Sequence, residues 1–137
     1  MIKIVAGLKG SGKTKKIISD ANNTVKTAKG NVVFIEKSNQ LMYDLDRDIR
    51  LVDASEYDLQ NYDRFTGFVK GLHAGNYDIT NIYIDGLFKI VKNNTDELFE
   101  VFIKEMAEFS DRTGIEFFIS ASMDPANMGD SKKYIIS

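Results

Sequence analysis

The segment GLKGSGKT, from Gly7 to Thr14, determines how the rest of the chain is interpreted. It matches the pattern G-x-x-x-x-G-K-[ST] at every fixed position. Glycines in such a loop let backbone N–H groups turn toward a phosphate, because no Cβ stands in the way. The segment follows an apolar stretch at residues 2–6 and precedes a stretch with helical spacing. We therefore predict a strand, a phosphate-binding loop and a helix in that order.

The predicted ligand of this loop is the phosphate chain of a nucleotide. We expect the ammonium of Lys13 to contact β- and γ-phosphate oxygens and the hydroxyl of Thr14 to bind Mg²⁺. The helix that follows adds unpaired N–H groups and the positive end of its dipole. The nucleotide-binding residues predicted in the loop are Gly7, Leu8, Lys9, Gly10, Ser11, Gly12, Lys13 and Thr14.

Short apolar stretches alternate with stretches of helical spacing along the chain. This alternation predicts an α/β fold with a parallel sheet covered on both faces. The predicted strands are residues 2–6, 31–36, 50–53, 81–85, 115–120 and 134–136. The predicted helices are residues 11–27, residues 57–75, a third from the Asn94-x-x-Glu97 signal to Gly114, and a short one opened by Asp124 and Pro125.

Composition limits the classes of function. The chain has 137 residues, no cysteine and one histidine, which excludes a disulfide framework, Cys-ligated zinc and a thiol nucleophile. The net charge of −2 gives no strong nucleic-acid signal. The length predicts one domain over residues 1–137. No apolar run approaches the roughly 18 residues of a membrane helix, and a strand from residue 2 leaves no space for a signal peptide, so we expect a cytoplasmic protein without a membrane partner.

The loop and its setting resemble the P-loop NTPase superfamily, in particular its RecA-like branch. The resemblance is specific over residues 7–14 and extends as a fold over nearly the whole chain. It implies a three-layer P-loop domain with a mostly parallel sheet of order 3-2-4-5-1-6, and ATP and Mg²⁺ as ligands. ATP is the default because the chain has no Asn-Lys-x-Asp element of the kind found in GTPases. The chain also looks like short stand-alone bacterial P-loop proteins that are sometimes labelled twitching-motility ATPases.

The resemblance implies roles for residues at the ends of three later strands. Asp85, at the end of NIYID, would accept a hydrogen bond from a Mg²⁺-bound water or from Thr14. Glu36, at the end of VVFIE, stands where the RecA-like branch carries a water-orienting Glu, although a solvated carboxylate is the alternative interpretation. Ser120 resembles a residue that senses the γ-phosphate, with Ser122 as a substitute and ordinary strand-end polarity as the alternative. Many related ATPases have Glu directly after the Asp, where this chain has Gly86.

Together these residues predict an ATP-binding protein that is a weak or partner-completed Mg²⁺-dependent ATPase. The predicted catalytic residues are Lys13 and Glu36, and the predicted metal-binding residues are Thr14 and Asp85. No arginine occupies a recognisable position for stabilising the transferred phosphate, so a protein partner or a second copy of the chain would complete the site. Two alternatives remain open, a small-molecule kinase and a nucleotide-sensing interaction module without turnover.

Overall fold

The computed structural model describes residues 1–92 and 95–136, which form strands and helices in near-regular alternation. The strands are β1 (Ile2–Ala6), β2 (Asn31–Glu36), β3 (Arg50–Asp53), β4 (Ile79–Ile84) and β5 (Glu116–Ala121). The α-helices are α1 (Lys13–Val25), α2 (Tyr62–Gly75), α3 (Leu87–Ile90) and α4 (Asp96–Thr113). Short 3₁₀ turns lie at Ala54–Glu56, Pro125–Asn127 and Asp130–Tyr134.

The strands form one sheet in the order β1-β5-β4-β2-β3, and every neighbouring pair is parallel. The predicted α/β class with a parallel sheet is therefore confirmed. Strand β5, the last in the chain, lies between β1 and β4. Because all strands point the same way, their carboxyl ends share one edge, and the loops that follow β1, β4 and β5 meet there.

Helix α1 covers one face of the sheet. Its fully buried residues Ile17 and Ala21 pack in a cluster with Phe34 of β2, Tyr83 of β4 and Phe118 of β5. The ring centroid of Tyr83 lies 6.0 Å from that of Phe34 and 5.6 Å from that of Phe118, so a row of aromatic rings crosses three strands. Helix α1 packs against the apolar surface that this row of rings forms.

Helices α2 and α4 cover the opposite face. Phe65 of α2 and Phe99 and Phe102 of α4 are at most 1% exposed. The ring of Phe102 lies 4.9 Å from that of Tyr62 and 5.8 Å from that of Phe65, which joins the two helices. Burying each such side chain contributes about 1.5–3 kcal/mol, so this layer is a large part of the core.

The first two helices begin later than predicted. Gly12 has a left-handed backbone with φ +83°, so α1 begins at Lys13 rather than at residue 11, and it ends at Val25. Helix α2 begins at Tyr62 rather than at residue 57, because the Asn61 side chain accepts a hydrogen bond from the Arg64 N–H at 2.8 Å and caps the helix there. The error in α2 arises because the apolar residues Tyr57 and Leu59 extend the helical spacing to positions before the true start.

The predicted start signal of the third long helix falls partly on Asn94, which lies outside the described residues. In the structure the N-cap is Thr95, whose side chain accepts a hydrogen bond from the Leu98 N–H at 3.2 Å. The predicted stop is confirmed, because Gly114 is the C-cap with a φ of +79°. Helix α3, which follows Asp85, was not predicted from the sequence.

The predicted sixth strand is wrong, and the six-stranded order 3-2-4-5-1-6 is therefore not present. Residues 130–134 form a 3₁₀ turn, and only Ile135 makes a bridge to Ile4 of β1. The carboxylate of Glu100 accepts hydrogen bonds from the backbone N–H of Ser131, at 2.9 Å, and from its hydroxyl. These bonds hold the turn against α4. The segment that follows the turn therefore pairs with β1 only through the bridge at Ile135.

Among the described residues, no helix combines the length and the apolar character that crossing a membrane requires.

Candidate functional site

The loop after β1 is shaped by its glycines. Gly10 and Gly12 have φ angles of +86° and +83°, which residues with a Cβ rarely adopt. A Cβ on Gly7 would lie 2.8 Å from the Ser11 Oγ, so a larger residue there would require the Ser11 side chain to move. The backbone thus depends on glycine at Gly10 and Gly12, and Gly12 is also a fixed position of the sequence motif.

The end of α1 that faces the loop carries unpaired backbone donors. No side chain caps this helix, and its first backbone bond runs from the Lys16 N–H to the Gly12 oxygen at 3.2 Å. The N–H groups of the first turn have no partner within the helix and are free to bind an anion. No acidic residue lies in that turn to compete for them.

Lys13 donates hydrogen bonds within the loop. Its ammonium lies 2.9 Å from the Leu8 carbonyl oxygen and 3.3 Å from the Ser11 Oγ. Neither acceptor is a carboxylate. Lys13 also takes part in neither of the ion pairs found among the described residues, which are Arg64–Asp58 and Lys70–Glu105. The ammonium can therefore move to a phosphate oxygen without breaking an ion pair.

Thr14 and Asp85 come together across the loop and the sheet. The Thr14 hydroxyl lies 3.3 Å from each Asp85 carboxylate oxygen, although the residues are 71 positions apart in the chain. Asp85 is 9% exposed, and its backbone N–H donates to the Ile35 oxygen of β2 at 2.9 Å. A buried carboxylate beside a hydroxyl at the end of a strand offers two oxygen ligands to a hard cation.

A second contact fixes α1 relative to β4. The Tyr83 hydroxyl donates to the Asp20 carboxylate at 2.6 Å and lies 2.8 Å from the Thr24 hydroxyl. Burial and the negative charge of Asp20 raise the pKa of Tyr83 above its ordinary value, so the phenol keeps its proton. This contact sets the position of the helix that carries Thr14.

Ser120 is fully engaged with the strand next to its own. Its hydroxyl donates to the Asp85 carboxylate at 2.8 Å and accepts from the Gly86 N–H at 2.8 Å. With its single proton used in this way, Ser120 orients Asp85, and its predicted contact with the γ-phosphate, for which the hydroxyl would have to turn, stays a prediction. Ser122, the predicted substitute, is exposed and lies in the same cleft.

These groups line an open cleft of about 590 Å³ at the carboxyl edge of the sheet. One wall is the loop and the start of α1, and the other is formed by the segments after β4 and β5. The cleft is lined by Lys9, Gly10, Gly12, Lys13, Thr14, Lys15, Asp85, Gly86, Phe88, Lys89, Ser120 and Ser122. Phe88 and Lys89 were not predicted as site residues, because a helix as short as α3 has no detectable periodicity in the sequence.

Glu36 ends β2 as predicted but is not among the residues that line the cleft. It is 7% exposed and accepts hydrogen bonds from the Ser38 hydroxyl at 3.0 Å and the Leu41 N–H at 3.1 Å. Burial raises the pKa of the Glu36 carboxyl above its ordinary value, and the negative charges of Asp85 and Asp53 add to the effect, whereas the two hydrogen bonds oppose it. In this geometry the carboxylate holds the chain that follows β2.

The burial of Glu36 predicts a pH effect on stability. Its pKa is raised on folding, so the native carboxyl still holds its proton when that of the unfolded chain has ionised. The free energy of unfolding should therefore fall as the pH rises from about 4.5 through the raised pKa, with a slope of at most about 1.4 kcal/mol per pH unit. Urea titrations between pH 4 and 7 should show this contribution in the wild type and not in Glu36→Gln. Equal pH slopes for the two proteins would contradict the prediction.

The residues that would hold Mg²⁺ are few. Among residues 1–92 and 95–136 there is no cluster of three or more His, Asp or Glu side chains placed to bind a metal. Thr14 and Asp85 nevertheless fit a magnesium ion, because Mg²⁺ usually takes only one or two protein oxygens and completes its shell with water and substrate phosphate. The metal assignment of Thr14 and Asp85 remains a prediction.

Comparison with protein-family models gives no match for this chain, and comparison with curated proteins gives none.

Proposed function

We propose that the chain is a P-loop protein that binds a nucleoside triphosphate, with ATP as the default, together with Mg²⁺. The observation that carries the proposal is the contact between Thr14 and Asp85 at 3.3 Å, next to a glycine loop whose lysine makes no ion pair with any described residue. Independent parts of the chain thus contribute a phosphate cradle, a cation and two metal ligands to one cleft.

The order of the strands supports the same proposal. Read from the other edge, the five strands follow 3-2-4-5-1, which agrees with the first five positions of the order implied by the RecA-like resemblance. Strand β5 separates β1, which precedes the loop, from β4, which precedes Asp85. This spacing leaves a gap at the carboxyl edge between β1 and β4, where sheets of this kind bind ligands.

The chemistry of the cleft follows from its charges. In the part of the chain that the structure describes, Lys9, Lys13, Lys15 and Lys89 line it, and Asp85 is the one acidic residue among the lining residues. Four positive charges opposite one negative charge favour a polyanion. Mg²⁺, when bound, neutralises charge on the β- and γ-phosphates; Thr14 and Asp85 would hold and orient it.

Without a partner, the residues of this cleft favour slow hydrolysis of the nucleotide or no hydrolysis at all. Among residues 1–92 and 95–136 the lining of the cleft includes no arginine, and Asp85, the one carboxylate found there, is hydrogen-bonded to Thr14 and Ser120. Positioning of a water molecule and stabilisation of the transferred phosphate would then depend on Glu36 after a rearrangement, or on a residue from a protein partner or a second copy. Binding without turnover, as in a nucleotide-sensing module, is the second candidate function that this observation favours.

The binding test is a thermal unfolding experiment with and without Mg²⁺-ATP. At a ligand concentration 100 times the dissociation constant, we expect about 2.7 kcal/mol of stabilisation. That corresponds to a rise in melting temperature on the order of 10 °C for a chain of this size. Lys13→Ala should lose most of the rise, whereas Lys26→Ala, which removes an exposed lysine at the opposite end of α1, should keep it. No rise with the wild-type protein would refute the proposal.

Turnover is tested separately by measuring phosphate release from Mg²⁺-ATP. If the wild type releases phosphate and Lys13→Ala does not, the protein is an ATPase, and comparison with Glu36→Gln then tests whether Glu36 takes part. If the wild type binds the nucleotide and releases no phosphate, the non-hydrolysing module is the better description. ADP formation only in the presence of an added nucleoside or alcohol would indicate a kinase.

A further inference from the structure

The position of Lys89 adds a residue to the proposed site. Helix α3 begins directly after Asp85 and Gly86, and its residues Leu87 and Ile90 are 0% and 4% exposed. Burial of these two side chains anchors the single helical turn to the core. The residues between them, Phe88 and Lys89, consequently face the cleft and line it.

The stem of Lys89 runs across Gly86. A Cβ built on Gly86 would lie 3.2 Å from the Lys89 Cδ and 3.6 Å from its Cγ, and Gly86 has a left-handed φ of +66°. A side chain at position 86 would therefore be strained and would press against the lysine.

The ammonium of Lys89 is available to a ligand. Within residues 1–92 and 95–136 it makes no ion pair and no hydrogen bond. The other lysines that line the cleft, Lys9, Lys13 and Lys15, all belong to the loop and the start of α1. Lys89 is thus the cation that enters from the opposite wall, the wall that carries Asp85.

We infer that Lys89 binds the terminal phosphate of the nucleotide and makes the site prefer a triphosphate over a diphosphate. This inference rests on the proposed function. The loop amides and Lys13 hold the phosphate chain from one wall, and the predicted metal position between Thr14 and Asp85 lies beside the β- and γ-phosphates. A cation on the Asp85 wall next to that position meets the last phosphate, which a diphosphate lacks. A charge-assisted hydrogen bond there is stronger than one between neutral groups.

The test compares Mg²⁺-ATP and Mg²⁺-ADP by titration calorimetry. Lys89→Met keeps the length of the stem and removes the charge, and we expect about a 10-fold loss of ATP affinity, equal to about 1.4 kcal/mol. The affinity for ADP should change by less than about 2-fold, because exposed charges beyond contact distance are screened. Lys89→Arg should retain the preference for ATP. Lys92→Met is the matched control, since it removes an exposed lysine that does not line the cleft, and it should alter neither affinity.

Each outcome is decisive. Equal losses for ATP and ADP in Lys89→Met, or no loss for either, would overturn the role of Lys89 while leaving nucleotide binding intact. The same loss in Lys92→Met would show that overall positive charge, and not a contact, produces the preference. If the wild-type protein binds neither nucleotide, the proposed function fails and this inference fails with it.

Discussion

Asp85→Asn is expected to remove the dependence of nucleotide binding on Mg²⁺. Among the described residues the carboxylate is the one acidic group that lines the cleft, and it lies 3.3 Å from the Thr14 hydroxyl, so under the proposed function its charge would attract the metal. Replacing a group that positions a metal or its water typically costs about 10- to 100-fold in metal affinity. The affinity of the variant for ATP in millimolar Mg²⁺ should fall to the value that the wild type shows with a chelator. Titration calorimetry with and without chelator measures both quantities.

Asp78→Asn is the matched control. It removes the same charge just before the opposite end of β4, where Asp78 is exposed and does not line the cleft. Its affinity for ATP should respond to Mg²⁺ as in the wild type. The fold of Asp85→Asn should persist, because asparagine keeps an oxygen for the Ser120 hydroxyl and a buried charge is removed. If Asp85→Asn keeps its full response to Mg²⁺, the metal is held elsewhere and Thr14 and Asp85 are wrongly assigned.

The strands were predictable because each is a short, almost continuous apolar run. The bounds of Ile2–Ala6, Asn31–Glu36 and Arg50–Asp53 match the expectation residue for residue. Buried parallel strands have this pattern because both of their faces are covered. The three apolar residues at 134–136 have the same pattern and do not form a strand, because the contact of Glu100 with Ser131, 31 positions away, directs the chain.

The site was predictable where one local motif specifies it and less so where the sheet assembles it. The loop from Gly7 to Thr14 is contiguous, so its glycines could be assigned from spacing alone. The hydrogen bond of Ser120 with Asp85 depends on β5 lying next to β4, so it could not be predicted from the sequence, and the phosphate contact of Ser120 stays a prediction. Lys89 could not be found because its direction depends on the burial of Leu87 and Ile90 in a single helical turn.

Phe102→Ala is expected to lower the free energy of unfolding by about 3–5 kcal/mol. Phe102 is 1% exposed, and its ring lies 4.9 Å from that of Tyr62 and 5.8 Å from that of Phe65, so removing it leaves a cavity between α4 and α2. Against a total of about 5–15 kcal/mol for a native domain, this is a large fraction. Urea unfolding followed by circular dichroism measures the change.

The preceding residue provides the control for Phe102→Ala. Val101 is on the same helix and is 62% exposed, so Val101→Ala should change the free energy of unfolding by no more than about 0.5 kcal/mol. No residue of α4 lines the cleft, so saturating Mg²⁺-ATP should stabilise Phe102→Ala by the same amount as the wild type, provided that the proposed function holds. A loss below about 1 kcal/mol in Phe102→Ala would contradict the packing of α4 on α2, since truncating a well-packed buried Phe costs several times more. Normal destabilisation combined with loss of nucleotide binding would instead show that this layer supports the cleft from behind the sheet.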